Sequence, residues 1–321
     1  MPMTERIGRL QRFSLVAALL AVIAFFAVFA PGFTRPANLA DVLVNNFALL
    51  AIAALGMTLA LSIGAVDLSL GTAIDVASLV FVQLVAHQVG VLPALLGGLG
   101  AAVLVGTFNG ALVAGLGIAP FLATLGTLFI GQTVQQLATG GGQPVYLLNV
   151  ALPPLFGALA HGTLAGVPVP LWCVVVLAAA VHVVLAHSAF GRYSAALGAQ
   201  PGVARHSGLP VAATVVATFV ASALVYGVVG LLLSSTVKAY VPQAGNGFLL
   251  NAIGATFIGT TLSPTRRPGV AGTLLGVLLI SLVANGLLLI GWNFYWQQVA
   301  TGALILAVLA LSFMGRRVRA A

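Results

Sequence analysis

The feature that most constrains this chain is its series of apolar runs, each about 20 residues long and bounded by proline, glycine or charge. A run of that length crosses the hydrocarbon core of a bilayer as an α-helix. The strands of a membrane barrel would be about half as long and would alternate in polarity. Only 5% of the residues are charged and 61% are hydrophobic. The sequence therefore predicts an all-α integral membrane protein.

The runs predict about ten transmembrane helices in a single membrane domain that covers residues 1–321. The eighth helix is short, and it or the third could be broken or re-entrant. A basic start before the first run also fits a cleavable signal peptide, but Pro31 directly follows the candidate cleavage site AVFA, which favours a retained first helix. The predicted ranges are 14–30, 41–63, 70–90, 93–114, 119–138, 169–188, 211–233, 249–262, 269–290 and 296–314.

Both termini are predicted to be cytoplasmic. This orientation places all of the 12 basic residues inside except Arg35 and Lys238, in agreement with the positive-inside rule. It makes 1–13 a basic inner N-terminus, 315–321 a basic inner tail and 139–168 a long outer loop. Because the basic residues lie in short clusters between apolar runs, we expect them to orient the chain in the bilayer, and we expect no nucleic-acid partner. The inner basic residues are Arg6, Arg9, Arg12, Arg192, Arg205, Arg266, Arg267, Arg316, Arg317 and Arg319.

Residues 189–210, AFGRYSAALGAQPGVARHSGLP, are the longest polar interruption on the predicted inner side. The segment carries Arg192, Arg205 and His206 and alternates small residues with helix formers. It predicts a short amphipathic helix at the membrane surface, which suits a docking element.

Small and polar residues also recur in the same order and at the same spacing in two helix pairs. The pairs are the fourth with the fifth and the ninth with the tenth helix, so they would run in opposite directions across the membrane. This pattern is consistent with inverted five-helix repeats, as found in transporters. The matched residues are Gly100, Asn109, Gly110, Gly115 and Gly126 with Gly276, Asn285, Gly286, Gly291 and Gly302.

The polar residues of the apolar runs suggest a path for a solute rather than a reaction centre. Asp67 could cap the next helix or line a polar path, and Asp75 lies deeper in the third predicted helix. Neutral hydrogen-bonding groups suit an uncharged, hydroxyl-rich solute better than an ion. Asn and Thr, however, also join helices to one another. The candidate path residues are Asp67, Ser69, Asn109, Thr124 and Asn285.

No catalytic or metal-binding arrangement can be identified in the sequence. The five histidines are scattered, no HExxH or GxSxG motif occurs, and Cys173 is the single cysteine. The sequence predicts no enzyme and no metal site. The only lysine, Lys238, lies outside any GxxxxGK[ST] loop, so ATP-driven work would require a separate subunit.

Five segments, in order, resemble the permease subunits of ribose-type ATP-binding-cassette (ABC) importers. The most specific is GAVDLSLG (64–71), which is similar to the family's GGIDLSVG. The resemblance covers nearly the whole chain, from FTRPANLADVLVNN (33–46) to its end. The other four segments are NGALVAGLGIAPFLATLGTLFI (109–130), GRYSAALGAQPGVARHSGL (191–209), GNGFLLNAIGATFIGTTL (245–262) and GTLLGVLLISLVANGLLLIG (272–291).

The resemblance implies a multi-pass protein of the bacterial inner membrane that imports a pentose, hexose, related sugar or autoinducer. It implies a second permease copy, two cytoplasmic ATP-binding subunits and a periplasmic sugar-binding protein, which makes 139–168 a periplasmic loop. This chain would bind no cofactor, and the partner subunit would use ATP. The segment that matches 191–209 docks on the ATPase in such systems, which carries the docking role to Gly191, Arg192, Gly198, Ala204, Arg205 and Gly208.

Two departures from the family pattern limit this transfer. Gln200, Pro201 and Gly202 stand where a polar pair is usual, so the docking loop could bend differently. The turn SPTRRPG (263–269) adds Arg266 and Arg267 to the inner surface. Neither the detailed docking contacts nor a particular sugar follows from the resemblance.

Two other classes remain open from the sequence. An ion-coupled secondary transporter of a small neutral solute would need Asp67 or Asp75 as its coupling group. A channel or a structural membrane subunit is the third class.

Overall fold

The computed structural model describes residues 3–148, 150–263, 265, 267–293 and 295–307, and their side chains from residue 15 onward. Long helices dominate this part of the chain, which agrees with the predicted all-α membrane class. Residues 295–307 are also helical and are labelled α14. The other helices are α1 Met3–Phe29, α2 Pro36–Asp41, α3 Ala48–Ser62, α4 Leu70–Ala86, α5 Val91–Gly115, α6 Pro120–Ala138, α7 Pro154–His161, α8 Val169–His187, α9 Ala189–Ala199, α10 Pro201–His206, α11 Val211–Val237, α12 Asn246–Thr260 and α13 Val270–Leu289.

A helix lies at each of the ten predicted positions within the described ranges. The end of the tenth predicted helix, the tail 315–321 and Arg266 lie outside the described residues, as do the side chains of 1–13. Among the residues that the structure describes, five helical segments are long and apolar enough to cross a membrane. They are Pro36–Ser62, Val91–Gly115, Val169–His187, Val211–Val237 and Val270–Leu289.

The sequence left open whether the third or the eighth predicted helix is broken or re-entrant. The third and eighth predicted helices, α4 and α12, run without a break. The second instead contains a π-helical stretch, Val42–Phe47, between α2 and α3. Neither proline nor glycine occurs in that stretch, so composition gave no sign of it. Asn46 supplies a carbonyl that accepts a hydrogen bond from the Ser281 hydroxyl at 3.3 Å.

The predicted outer loop 139–168 is a folded segment and not simply a long loop. Val145–Tyr146 (β1) pairs antiparallel with Ala239–Tyr240 (β4), and Thr163–Leu164 (β2) pairs with Val167–Pro168 (β3). Helix α7 begins at Pro154, and proline is well suited to the first helical turn. From this helix Phe156 is fully buried and stacks on Phe81 of α4, with ring centroids 5.5 Å apart. The segment is therefore tied to the helices by a strand pair and an aromatic contact.

The chain divides into two compact units, Leu55–Leu250 and Met1–Ala54 with Asn251–Ala321. In the first, glycines let α4, α5 and α11 approach closely: a Cβ on Gly106 would meet the Phe219 carbonyl, and one on Gly230 the Ile74 carbonyl. In the second, Gly259 of α12 and Gly272 of α13 meet backbone to backbone. Small residues are the usual means of helix association in a bilayer, where hydrophobicity cannot sort helices.

Candidate functional site

The motif 64–71 forms a tight turn between α3 and α4. Gly64, two residues after the end of α3 at Ser62, adopts a positive φ of 80°, a conformation that suits glycine. The Asp67 carboxylate Oδ1 then accepts hydrogen bonds from the Ser69 backbone N–H at 2.9 Å and from the Ser69 hydroxyl at 2.6 Å. Asp67 is only 2% exposed. Its side chain therefore closes the turn before α4. It does not cap the helix, because the N-cap residue of α4 is Ser69 and no side chain makes a capping hydrogen bond there.

A line of hydrogen bonds runs from this turn into the neighbouring helices. The Asn109 amide of α5 donates to Ser69 Oγ at 2.7 Å, and the Thr127 hydroxyl of α6 donates to Asn109 Oδ1 at 2.6 Å. Each of these side chains is buried. We call Asp67, Ser69, Asn109 and Thr127 the buried polar chain. It fastens the turn to both α5 and α6.

Four of the five candidate path residues meet at this place. Asp67, Ser69 and Asn109 belong to the buried polar chain, and Thr124 lies beside it. The Thr124 hydroxyl is 2.9 Å from the Pro120 carbonyl and 3.4 Å from the carbonyl of Val66 in the turn. Thr127 was not among the sequence candidates, although its position one helical turn after Thr124 was the signal that could have found it.

The fifth candidate, Asn285 of α13, lies in the other compact unit. Its amide forms a reciprocal pair with the amide of Asn38: the two N–H···O distances are 3.0 and 3.1 Å. The Asn38 amide also reaches the Phe33 carbonyl at 2.8 Å. The hydrogen bonds of Asn285 thus serve a local helix contact in this conformation.

A second buried polar group surrounds Asp75 of α4. Asp75 is 1% exposed, and its Oδ1 accepts the Gly245 backbone N–H at 2.7 Å. The Gln135 side chain approaches the same carboxylate, and Gln135 Oε1 accepts the Tyr240 hydroxyl at 2.9 Å. The other carboxylate oxygen, Oδ2, makes no hydrogen bond to the described residues. Sequence reasoning missed Gly245 and Tyr240 because they are remote in the chain.

The predicted docking segment, residues 189–210, contains two helices, so the prediction of one short amphipathic helix is wrong. Helix α9 ends at Ala199, Gln200 is extended with φ −151° and ψ 87°, and α10 starts at Pro201. The residue before a proline is disfavoured in the helical conformation, which explains the break. Arg192 and Arg205 are exposed on this surface.

The predicted docking residues play different structural parts. Gly191 packs tightly under the carbonyls of Val184 and Leu185. Ala204 is 2% exposed and packs inward. Gly208, two residues after the end of α10, has a positive φ of 71°. Gly198 lies against the end of α3.

Comparisons with known proteins agree on one family. The family described as branched-chain amino acid transport system / permease component matches residues 39–309. The ribose import permease protein RbsC of Escherichia coli (strain K12) is 30% identical over 90% of this chain and 89% of its own length. The D-allose transport system permease protein AlsC of the same strain is 29% identical over 91% and 89%.

The name of a third relative specifies no substrate. The probable ABC transporter permease protein y4mJ of Sinorhizobium fredii (strain NBRC 101917 / NGR234) is 34% identical over 84% of this chain and 79% of its own length. No solved structure gives a significant match.

Proposed function

Because the chain belongs to the family of branched-chain amino acid transport system permease components, we propose that it is the membrane permease subunit of an ABC importer for a monosaccharide. The observation that carries this proposal is the similarity to ribose and allose permeases over about nine-tenths of the chain. Neutral amide and hydroxyl groups on the candidate path agree with a hydroxyl-rich solute. The chain is not an enzyme, since a separate subunit hydrolyses ATP in such an importer.

The proposed topology has ten spans and cytoplasmic termini in the bacterial inner membrane. The positions of ten helical segments and the distribution of basic residues support it. Inverted five-helix repeats are part of this proposal. Matched residues have similar surroundings, which supports the repeats. Asn109 and Asn285 each join their helix to another element by side-chain hydrogen bonds. Gly110 and Gly286 each lie in close contact with a neighbouring helix.

The proposed partners are a second permease copy, two cytoplasmic ATP-binding subunits and a periplasmic sugar-binding protein. Exposed Arg192 and Arg205 give α9 and α10 a positive surface for the ATP-binding subunit. On the other side, the folded segment 139–168 presents apolar side chains that suit a contact with the binding protein. These are Leu148, Leu155 and Leu164, which are 80%, 49% and 63% exposed.

In the proposed mechanism, ATP-driven closure of the two ATP-binding subunits moves the docking segment, and the permease opens alternately to each side. Asp67, Ser69, Asn109, Thr124 and Asn285 would contact the sugar only where the helices part, because all five are buried here. The hydrogen bonds among them would then be exchanged for bonds to sugar hydroxyls.

The test is to extract the protein in mild detergent and to measure whether an ATP-binding subunit co-purifies. We expect near-equal amounts with the wild type and loss with Arg205→Glu, since the substitution reverses a charge at the docking surface. Arg35→Glu reverses an exposed charge on the predicted outer side and should retain the subunit. Purified complexes should import labelled ribose or allose into proteoliposomes when ATP is supplied.

If no ATP-binding subunit is recovered even after cross-linking, the importer proposal fails. The ion-coupled transporter then becomes the working account. It would be tested by uptake under a proton or sodium gradient with Asp67→Asn and Asp75→Asn.

A further inference from the structure

We propose that the contact between Gly198 and the Ser62–Gly64 backbone transmits movement of the docking segment to the turn that holds the buried polar chain. Gly198 is then a positioning residue for transport, not a docking residue. The inference rests on the proposed function, since it assumes that an ATP-binding subunit moves α9.

The contact joins backbone to backbone. A Cβ built on Gly198 would collide with the Ser62 carbonyl and would lie 3.2 Å from the Gly64 nitrogen. From the other side, a Cβ on Gly64 would lie 3.6 Å from the Gly198 Cα. No flexible side chain stands between the two segments. A shift of α9 toward the turn therefore has no side chain to absorb it.

An apolar cluster holds the same segments together beside the contact. Leu197 of α9 packs in one buried cluster with Ile63 and Ala65 of the turn, and Ala204 of α10 belongs to it. Val215 and Phe219 of α11 complete the cluster. Because this packing includes α9, α10 and the start of α11, these parts would move together with the turn.

The turn leads directly into the buried polar chain. Asp67 lies three residues after Gly64, and Ser69 is the N-cap residue that directly precedes α4. The Ser69 hydroxyl is held by Asp67 on one side and by Asn109 on the other. A displacement of Gly64 must therefore either carry α5 and α6 along or break these hydrogen bonds. Both the movement of α5 and α6 and the loss of these hydrogen bonds would change the contacts among the four candidate path residues.

The other glycines of the docking segment supply the control. Gly202 of α10 has no heavy atom within 4 Å of an added Cβ, and it is exposed. Alanine is favoured over glycine in a helix, so Gly198→Ala and Gly202→Ala should each strengthen their own helix locally. The two substitutions make the same chemical change, but only one of them adds a methyl group at the contact with the turn.

The experiment uses the full importer in proteoliposomes, with the wild type, Gly198→Ala and Gly202→Ala. It measures the amount of bound ATP-binding subunit, the rate of ATP hydrolysis and the labelled ribose imported per ATP hydrolysed. For Gly198→Ala we expect full subunit binding, ATP hydrolysis within about twofold of the wild type and at least about fivefold less ribose per ATP. For Gly202→Ala, which adds its methyl group on the exposed face of α10, we expect the ribose imported per ATP hydrolysed to stay at the wild-type value.

The inference is overturned if Gly198→Ala imports as much ribose per ATP as Gly202→Ala, or if it loses the ATP-binding subunit, which would make Gly198 a docking residue. If Gly198→Ala does not fold, Leu197→Ala tests the same contact between α9 and the turn, because it removes apolar packing without adding volume. Wild-type ribose import per ATP hydrolysed in Leu197→Ala would equally overturn the inference. Failure of the wild type to bind an ATP-binding subunit would instead contradict the proposed function, so the two failures are distinguishable.

Discussion

Asn109 and Asn285 are buried asparagines at matching positions of the proposed repeat, yet their hydrogen bonds differ in kind. Asn109 lies in the middle of a line: its N–H group donates to Ser69 and its carbonyl oxygen accepts from Thr127. Asn285 forms a closed pair with Asn38, in which each amide both donates and accepts. The first arrangement connects three elements, whereas the second joins only two.

The difference shows what a buried amide can contribute to a membrane protein. A closed pair satisfies its own polar atoms and stabilises one helix contact. A line of hydrogen bonds depends on every member, so a change at one end reaches the other. The line around Asn109 also starts at the turn that the docking segment contacts, and for that reason we expect it to matter more for transport.

The largest effect is expected from Asp67→Ala. This change leaves the Ser69 N–H and hydroxyl groups without their buried acceptor, which costs about 1–3 kcal/mol. Sugar uptake per folded protein should fall at least about tenfold, the rate equivalent of about 1.4 kcal/mol. The measurement is the uptake of labelled ribose divided by the amount of protein in the monodisperse gel-filtration peak.

Two variants control the Asp67 experiment. Asp67→Asn keeps an oxygen acceptor in place and should retain more uptake than Asp67→Ala. Asp41→Ala removes an exposed carboxylate at the end of α2 and should leave uptake within about twofold of the wild type. Equal uptake by Asp67→Ala and Asp41→Ala would show that the turn has no special role.

Substitution of the two asparagines should lower sugar uptake less than Asp67→Ala does, and by different amounts. Asn109→Ala removes the bonds to Ser69 and Thr127 and should lower uptake per folded protein by about fivefold. Asn285→Ala should lower it by about twofold, because the Asn38 amide can still donate to the Phe33 carbonyl. Thermal unfolding in detergent should shift by a similar few degrees for both, since each loses buried hydrogen bonds. Equal uptake by the two variants would contradict the distinction between line and pair.

Much of the fold could be predicted from the sequence because apolar length is a strong signal in membrane proteins. Within the described residues the helices lie where the apolar runs predicted them. Four of the five path candidates, chosen by residue type, lie together, and their role in a path stays a prediction. The strand pair of 145–146 with 239–240 and the contact of Asp75 with Gly245 could not be predicted, because each joins segments far apart in the chain. The break at Gln200 was signalled only by the proline that follows it.

The Gly198 contact shows a further limit of sequence reasoning. The resemblance assigned Gly198, Arg192 and Arg205 to one docking role. In the structure all three residues are exposed, but the Cβ direction of Gly198 faces the Ser62 carbonyl. Residue type could not separate these roles, because a glycine at a surface and a glycine at a close backbone contact look alike in one sequence.

The measurement that tests the central claim most directly is a double-mutant cycle for ribose imported per ATP, with Gly198→Ala and Ser69→Ala made singly and together. Ser69→Ala breaks the link to Asn109 but keeps the backbone bond to Asp67. If the docking segment acts through the buried polar chain, the Gly198 and Ser69 double variant should import as much ribose per ATP as the more impaired single variant. In the control cycle of Gly198→Ala with Asn285→Ala, the two losses of ribose imported per ATP should instead add as free energies. Additive losses in the Gly198 and Ser69 cycle would contradict the account.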